Sequence, residues 1–219
     1  GSCNTFEESR RLSLKIGFPC VLKSVDSSGS RGFSLLNGID DLTRQRFDRA
    51  FKAGKAGFVI LEKALIPLEN RIAEQSVETL WIDGKMFWLN WVDRIFQRDL
   101  GLFDELSNFY GKQISPAVEI GHLNPAVHPL EIKEKTHCAV LMAGKALGAD
   151  KEKFPCILKF DIMQTKEGPV VLEATPRLSG GWDSSGSSLL RGADFQVGFA
   201  RLMIEGRCSW DLWHKFFTF

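Results

Sequence analysis

The sequence predicts an α+β fold in two lobes, and three observations carry that prediction. Asp83-Gly84-Lys85 and Lys166-Glu167-Gly168 each separate two apolar, strand-like runs, the signature of a β-hairpin. Before residue 62 a helix, two strands, a second helix and a third strand follow in order, enough for a small α+β lobe. The character of the chain then changes, and at 219 residues it is long enough for a second lobe with its own core.

Taken in order, Phe6 to Ile16 has helical spacing, with Leu12 and Ile16 on one face and Gly17 as the stop. Phe18 to Val25 and Phe33 to Leu36 read as strands around a flexible loop, Ser27 to Gly32. Asp40 is placed to cap a helix over residues 41–52, and Gly57 to Leu61 reads as a buried strand. The second lobe begins with a hairpin, Ser76 to Ile82 and Met86 to Val92. Residues 97–130 read mostly as loop with short elements. Ile132, Thr136, Ala139, Ala143 and Leu147 mark one helix face, ended by Gly148. A second hairpin pairs Cys156 to Gln164 with Pro169 to Ala174, and Phe195 to Ile204 is a final helix. The expected organisation is a lobe over residues 1–64, a lobe over 65–205 and an aromatic-rich tail over 206–219, read as core or docking surface. Gly1 and Ser2 are expected to carry no structural weight.

Charge and composition narrow the function. With 28 Lys+Arg against 27 Asp+Glu and a net charge of +1, the chain has neither a strong electrostatic footprint for nucleic acid nor an acidic tail. No run approaches the roughly 18 consecutive apolar residues of a membrane-spanning helix, so no membrane partner is expected. The 5 cysteines show no CxxC or Cys/His ligand spacing. They read as reduced thiols in a cytoplasmic protein.

Two segments carry chemistry. In the first, Gly29 and Gly32 let the backbone approach a ligand, Ser27, Ser28 and Ser30 add hydroxyls, and Lys23 supplies a point charge on the preceding strand. A phosphate flap and a plain mobile turn both fit this loop. The GxxxxGK[ST] string is absent and a strand follows, so a Walker loop is excluded. In the second, Asp161 and Glu173 each interrupt an apolar strand and face each other across the predicted hairpin. Two such carboxylates repel unless a cation neutralises them, and hard oxygen ligands suit Mg²⁺ together with phosphate. Satisfaction by Arg177 or by backbone donors is the other reading. Arg177 itself can hold a carboxylate or phosphoryl group in its planar fork.

Together the strings Ile16-Gly17-Phe18-Pro19-Cys20-Val21-Leu22-Lys23, Ser27 to Gly32, Val59-Ile60-Leu61-Glu62, Glu74-Gln75-Ser76-Val77-Glu78, Asp83-Gly84-Lys85 and Asp161 to Arg177 resemble the ATP-grasp superfamily. The branch they look closest to is that of carboxylate–amine ligases. The resemblance implies two α+β lobes with a nucleotide cleft between them, ATP and Mg²⁺ as cofactors, and small-molecule carboxylate and amine substrates. It implies that Lys23 and the Ser28, Gly29, Ser30 and Gly32 loop hold the phosphates. Glu62, Lys63 and Leu65 would meet the adenine, and Glu74 the ribose. Asp161, Glu173 and Thr175 would bind Mg²⁺, and Arg177 would act on the reacting phosphoryl group. Thr175 stands where the family's E-x-N-x-R string has Asn, and no Gly precedes Glu74. The family's N-terminal lobe has no counterpart in these residues, so it is an expected partner. A catalytically impaired ATP-binding module, a fragment of a larger ligase, and a kinase-like phosphotransferase are the alternatives.

Overall fold

Thr5 and Glu8 fix the start of the first helix. Thr5 Oγ1 accepts the Glu8 N–H at 3.2 Å, and Glu8 Oε2 accepts the Asn4 N–H at 3.2 Å. Two donors that a helix start would leave open are thereby satisfied. The computed structural model describes residues 1–27, 29–69, 71–96, 99, 119–180 and 195–205. These divide into two compact units, residues 1–66 and the residues from 67 onward. Ser28, most of the 97–130 stretch and the 206–219 tail lie outside the described residues.

The first unit runs β1 (Ser2–Cys3), α1 (Phe6–Ile16), β2 (Cys20–Ser24), β3 (Ser34–Leu36), α2 (Arg44–Ala53) and β4 (Val59–Lys63). Its four strands pair antiparallel in the order β1-β4-β2-β3. Phe47 and Ala50 of α2 bury with Leu22, Leu36 and Leu61 of the sheet, and Phe6, Leu12 and Ile16 of α1 pack against this core.

Two expectations are corrected here. Gly1 and Ser2 are structural: Ser2 pairs with Ile60, the Gly1 ammonium donates to Leu61 O at 2.6 Å, and the Leu61 N–H returns a bond to Gly1 O at 2.8 Å. They cover backbone groups along β4 that would otherwise form an open edge. Nor does Asp40 cap α2. Ile39–Asp41 is a 3₁₀ turn that delivers Leu42 to the core, and this interrupts the helix. It begins afresh at Arg44, with Thr43 Oγ1 accepting the Arg46 N–H at 3.2 Å.

The second unit contains β5 (Glu74–Ile82), β6 (Lys85–Phe96), β7 (Glu119–Leu123), α3 (Leu130–Ala146), β8 (Cys156–Thr165), β9 (Gly168–Thr175) and α4 (Phe195–Glu205). The strands form an antiparallel sheet in the order β7-β6-β5-β8-β9. Asp83 and Gly84 turn the β5–β6 hairpin with φ of 49° and 74°, the left-handed pair that a tight two-residue turn requires.

One sheet face packs on α3. Val77, Trp81, Phe160 and Ile162 bury with Val140. Beneath the same helix sits a closed polar group. Gln75 Nε2 donates to Asp93 Oδ1 at 3.0 Å, and His128 Nε2 lies 2.8 Å from that oxygen. Gln164 Nε2 donates to Gln75 Oε1 at 2.8 Å and to Thr136 Oγ1 at 2.9 Å. On the other face, Leu80, Leu89 and Ile157 bury with Leu202 of α4 at one end, and the remaining end is polar.

Trp81 lies so close to α3 that a Cβ at Gly144 would fall on its indole ring. Gly144→Ala is therefore expected to destabilise the protein by about 1–3 kcal/mol through overpacking, although Ala is the better helix former. Urea unfolding checks this; an unchanged or raised midpoint contradicts it.

The thiols offer a second check. Cys3, Cys20, Cys138 and Cys156 are all free. Burial pushes the Cys3 and Cys20 thiols above their ordinary range, which lowers their thiolate fraction at neutral pH. Cys138, exposed on α3, is expected to be alkylated well before either in a timed iodoacetamide reaction followed by peptide mapping.

Candidate functional site

The predicted site residues fall into two groups, one in each compact unit. In the first unit, the alternation of β2 buries Cys20 and Leu22 and turns Lys23 outward. Lys23 Nζ meets Glu62 Oε1 at 2.5 Å, with both side chains partly exposed at 34% and 47%. Past β2 the chain turns through Gly29 and Ser30 at φ of 64° and 55°, and the Phe33 N–H donates to Ser30 O at 3.1 Å. Gly29 and Ser30 are exposed, whereas Gly32 is buried at φ 80° with its ideal Cβ only 2.8 Å from Ala50 Cα. Gly32 thus anchors the loop against α2, and Gly29 keeps its tip open. Ser27 Oγ is buried with no hydrogen-bond partner among the described residues. Lys63 ends β4, the Ala64 N–H is taken by Pro19 O at 3.0 Å, and Leu65 is exposed.

In the second unit the register does what the sequence predicted for the carboxylates. Asp161 and Glu173 are direct partners across β8 and β9, and Lys159 pairs with Thr175 two residues away. The register shifts immediately beyond Asp161, leaving Leu172 extra on β9; bulges of this kind re-aim neighbouring side chains. Ser76 stands opposite Asp161 on β5, and Glu78 opposite Lys159. Glu74, at the start of β5, lies on the same face and is half-buried. One polar surface therefore gathers Glu74, Asp161, Glu173 and Thr175. Arg177 follows directly: it is exposed, and its guanidinium donates to Leu178 O at 3.0 Å.

Three further residues belong to this surface. Lys159 Nζ lies 2.6 and 2.8 Å from the two oxygens of Asp161. Arg94 on β6 reaches Asp161 Oδ2 at 3.2 Å and donates twice to Glu119 Oε2, at 3.0 and 2.8 Å. Burial works against the Arg94 charge, but Asp161, Glu119 and Glu74 together outweigh it and hold the guanidinium even more firmly protonated than usual.

The fit to a divalent ion can be judged from the oxygens. The 2.6 Å contact of Asp161 Oδ1 with Lys159 lacks hydrogen-bond geometry. Among the described residues Oδ1 and Thr175 Oγ1 are both buried atoms with no hydrogen-bond partner, although Oδ1 stays ion-paired with Lys159. Glu173 is exposed and has no ion pair or hydrogen bond among the described residues. Three oxygen donors on neighbouring strand positions, with Asp161 shared with the Lys159 ammonium and Arg94, suit a hard cation that takes its remaining ligands from phosphate and water. Among the described residues no set of three or more His, Cys, Asp and Glu side chains gathers as a metal site, at this surface or elsewhere, so the ligand set here is two carboxylates and a hydroxyl.

Comparison with known proteins bears on the fold. No family model matches the chain. Over 54 residues it is 44% identical to a formate-dependent phosphoribosylglycinamide formyltransferase of Pseudomonas aeruginosa, a stretch covering 25% of this chain and 14% of that protein. A namesake from Bacillus velezensis is 38% identical over 76 residues, 34% of this chain and 19% of that one. Among solved structures, biotin carboxylase of Campylobacter jejuni superposes over 94% of this chain and 41% of its own, with a TM-score of 0.67 and 18% identity. Phosphoribosylamine–glycine ligase of Thermotoga maritima does so over 94% and 48%, with a TM-score of 0.64 and 18% identity. The chain has the ATP-grasp fold. It spans less than half the length of these ATP-grasp structures.

Arg94, Glu119 and Lys159 were not among the residues predicted for the site. The signal for Lys159 was present: a Lys two residues before Asp161, inside an apolar strand, must share its face. Arg94 had no such local mark, because Asp161 reaches it only through the β6-β5-β8 strand order.

Proposed function

We propose that this chain is the lid and catalytic lobe of an ATP- and Mg²⁺-dependent carboxylate–amine ligase. The observation that carries the reading is the Asp161–Glu173 pair, in register beside Thr175 on the open polar end of an ATP-grasp sheet. In this reading residues 1–64 form the lid. Lys23 and the 27–32 loop neutralise and enclose the triphosphate, Glu62, Lys63 and Leu65 frame the adenine, and Glu74 accepts from the ribose. Asp161, Glu173 and Thr175 hold magnesium, which when bound draws charge from the phosphate oxygens.

A substrate carboxylate oxygen attacks the γ-phosphorus, and the bond to ADP breaks. Arg177 then leaves Leu178 O to steady the transferring phosphoryl group. An amine attacks the resulting acyl phosphate, phosphate departs, and the nitrogen loses a proton. Closure of the lid keeps water from intercepting the acyl phosphate. The relatives run well beyond the matched span, and in this reading a further lobe supplies the remaining substrate contacts. We place the protein in the cytoplasm, where ATP is abundant and thiols stay reduced; no helix among the described residues is long and apolar enough to cross a membrane.

Thr175 favours one second reading, because a hydroxyl is a shorter ligand than the family's amide: a nucleotide-binding module without turnover. ADP release by the full-length protein with Mg-ATP, with and without pooled amino acids and other small carboxylates, separates the two. Substrate-stimulated release supports the ligase. Tight ATP binding with no release under any pool supports the module.

A further inference from the structure

Asp161 is already claimed by cations. Lys159 and Asp161 sit on one face of β8 with side chains only 9% and 13% exposed, and Asp161 is the sole ion-pair partner of Lys159 among the described residues. Arg94 differs, since Glu119 gives it a second carboxylate. A divalent ion at Asp161 would repel an ammonium at 2.6–2.8 Å, and an ammonium displaced into a buried setting needs another anion.

We propose that Lys159 is a resident counter-cation that closes Asp161 to divalent metal until nucleotide phosphate offers the ammonium a new partner. The proposal rests on the reading of Asp161 as a metal ligand. Glu78 cannot easily take the ammonium instead, although it stands opposite Lys159 in register. It is fully buried, and its two oxygens already accept from Asn90 Nδ2 and the Ser179 N–H. Phosphate is the anion that arrives with the metal. Metal and nucleotide binding are then coupled through one side chain, and the coupling is reciprocal: each ligand tightens the other by the same factor.

The test uses Mn²⁺ as probe, counted by the electron paramagnetic resonance signal of the free ion, with the whole chain and no nucleotide. Lys159→Gln keeps a hydrogen-bond donor and drops the charge; it is expected to bind Mn²⁺ at least about tenfold tighter than the wild type. Lys159→Met, of similar volume, is expected to match it, so the test survives if one variant fails to fold. Lys159→Arg keeps the charge and should bind Mn²⁺ as weakly as the wild type. A saturating nonhydrolysable ATP analogue should tighten Mn²⁺ binding more in the wild type than in Lys159→Gln. Adding Asp161→Asn should abolish the gain. If Asp161→Asn removes Mn²⁺ binding but the neutral Lys159 variants bind no tighter than the wild type, the counter-cation role is wrong and the metal site stands. If Asp161→Asn changes Mn²⁺ binding in neither background, the metal reading of Asp161 is itself overturned.

Discussion

Asp161→Asn in the full-length protein is expected to lower Mg-ATP-dependent ADP release by about 10²- to 10³-fold, the scale on which removal of one preorganised electrostatic contact acts. The change is nearly isosteric, so it isolates charge. An amide oxygen still points at the site, but it is a far weaker magnesium ligand than a carboxylate. The same substitution strips Lys159 of its ion-pair partner and Arg94 of one of two. Breaking such a pair leaves an uncompensated buried charge, and the partial exposure of these groups moderates the cost to about 2 kcal/mol. Activity and stability should therefore fall together in this variant. Glu173→Gln should separate them, since Glu173 is exposed and pairs with nothing among the described residues. It is expected to lose turnover with its unfolding midpoint unmoved. Turnover within about threefold of wild type for Asp161→Asn, at saturating magnesium, would remove the carboxylate from the chemistry.

How much of this was legible follows from the range of the interactions. Asp83-Gly84 and Lys166-Glu167-Gly168 announced both hairpins because turn chemistry is local, but counting outward from the Lys166-Glu167 turn places Leu172 opposite Asp161, and only the bulge that leaves Leu172 extra brings Glu173 there. Helix bounds were legible for α1, where cap and stop lie next to the periodic stretch. They failed at α2, because the choice between Asp40 and Thr43 as cap depends on Leu42 finding a core made by residues far along the chain. Pairing between distant strands left no trace in either partner. Ser2 and Cys3 look like featureless leading residues until β4 is seen to lack a neighbour. The His128–Asp93–Gln75 group is of the same kind, since its members come from β5, β6 and the connection before α3, and each reads as an isolated polar residue. Arg94 is the instructive case at the site. It looks like the end of an apolar strand, and only the sheet order makes it a neighbour of Asp161.

Lys23→Ala is expected to weaken ATP binding by about 10- to 100-fold, the worth of one charge-assisted bond to phosphate, with little change in stability. The two effects should part because of where the side chain lies. Lys23 and Glu62 are both substantially exposed, and a solvated pair of this kind contributes at most about 1 kcal/mol to the fold. On the proposed reading the same ammonium would instead meet several negative phosphate oxygens at once, a larger interaction than one solvated carboxylate. Lys23→Arg should recover only part of the affinity, because a planar fork replaces a compact point charge. Glu62→Gln should leave the ammonium without a competitor, so its phosphate contact should strengthen even as the adenine contact changes. Triphosphate and adenosine binding then move in opposite directions, which calorimetry with each ligand can read. An ATP dissociation constant unchanged in Lys23→Ala would return Lys23 to the role it has in the structure, one half of a surface ion pair.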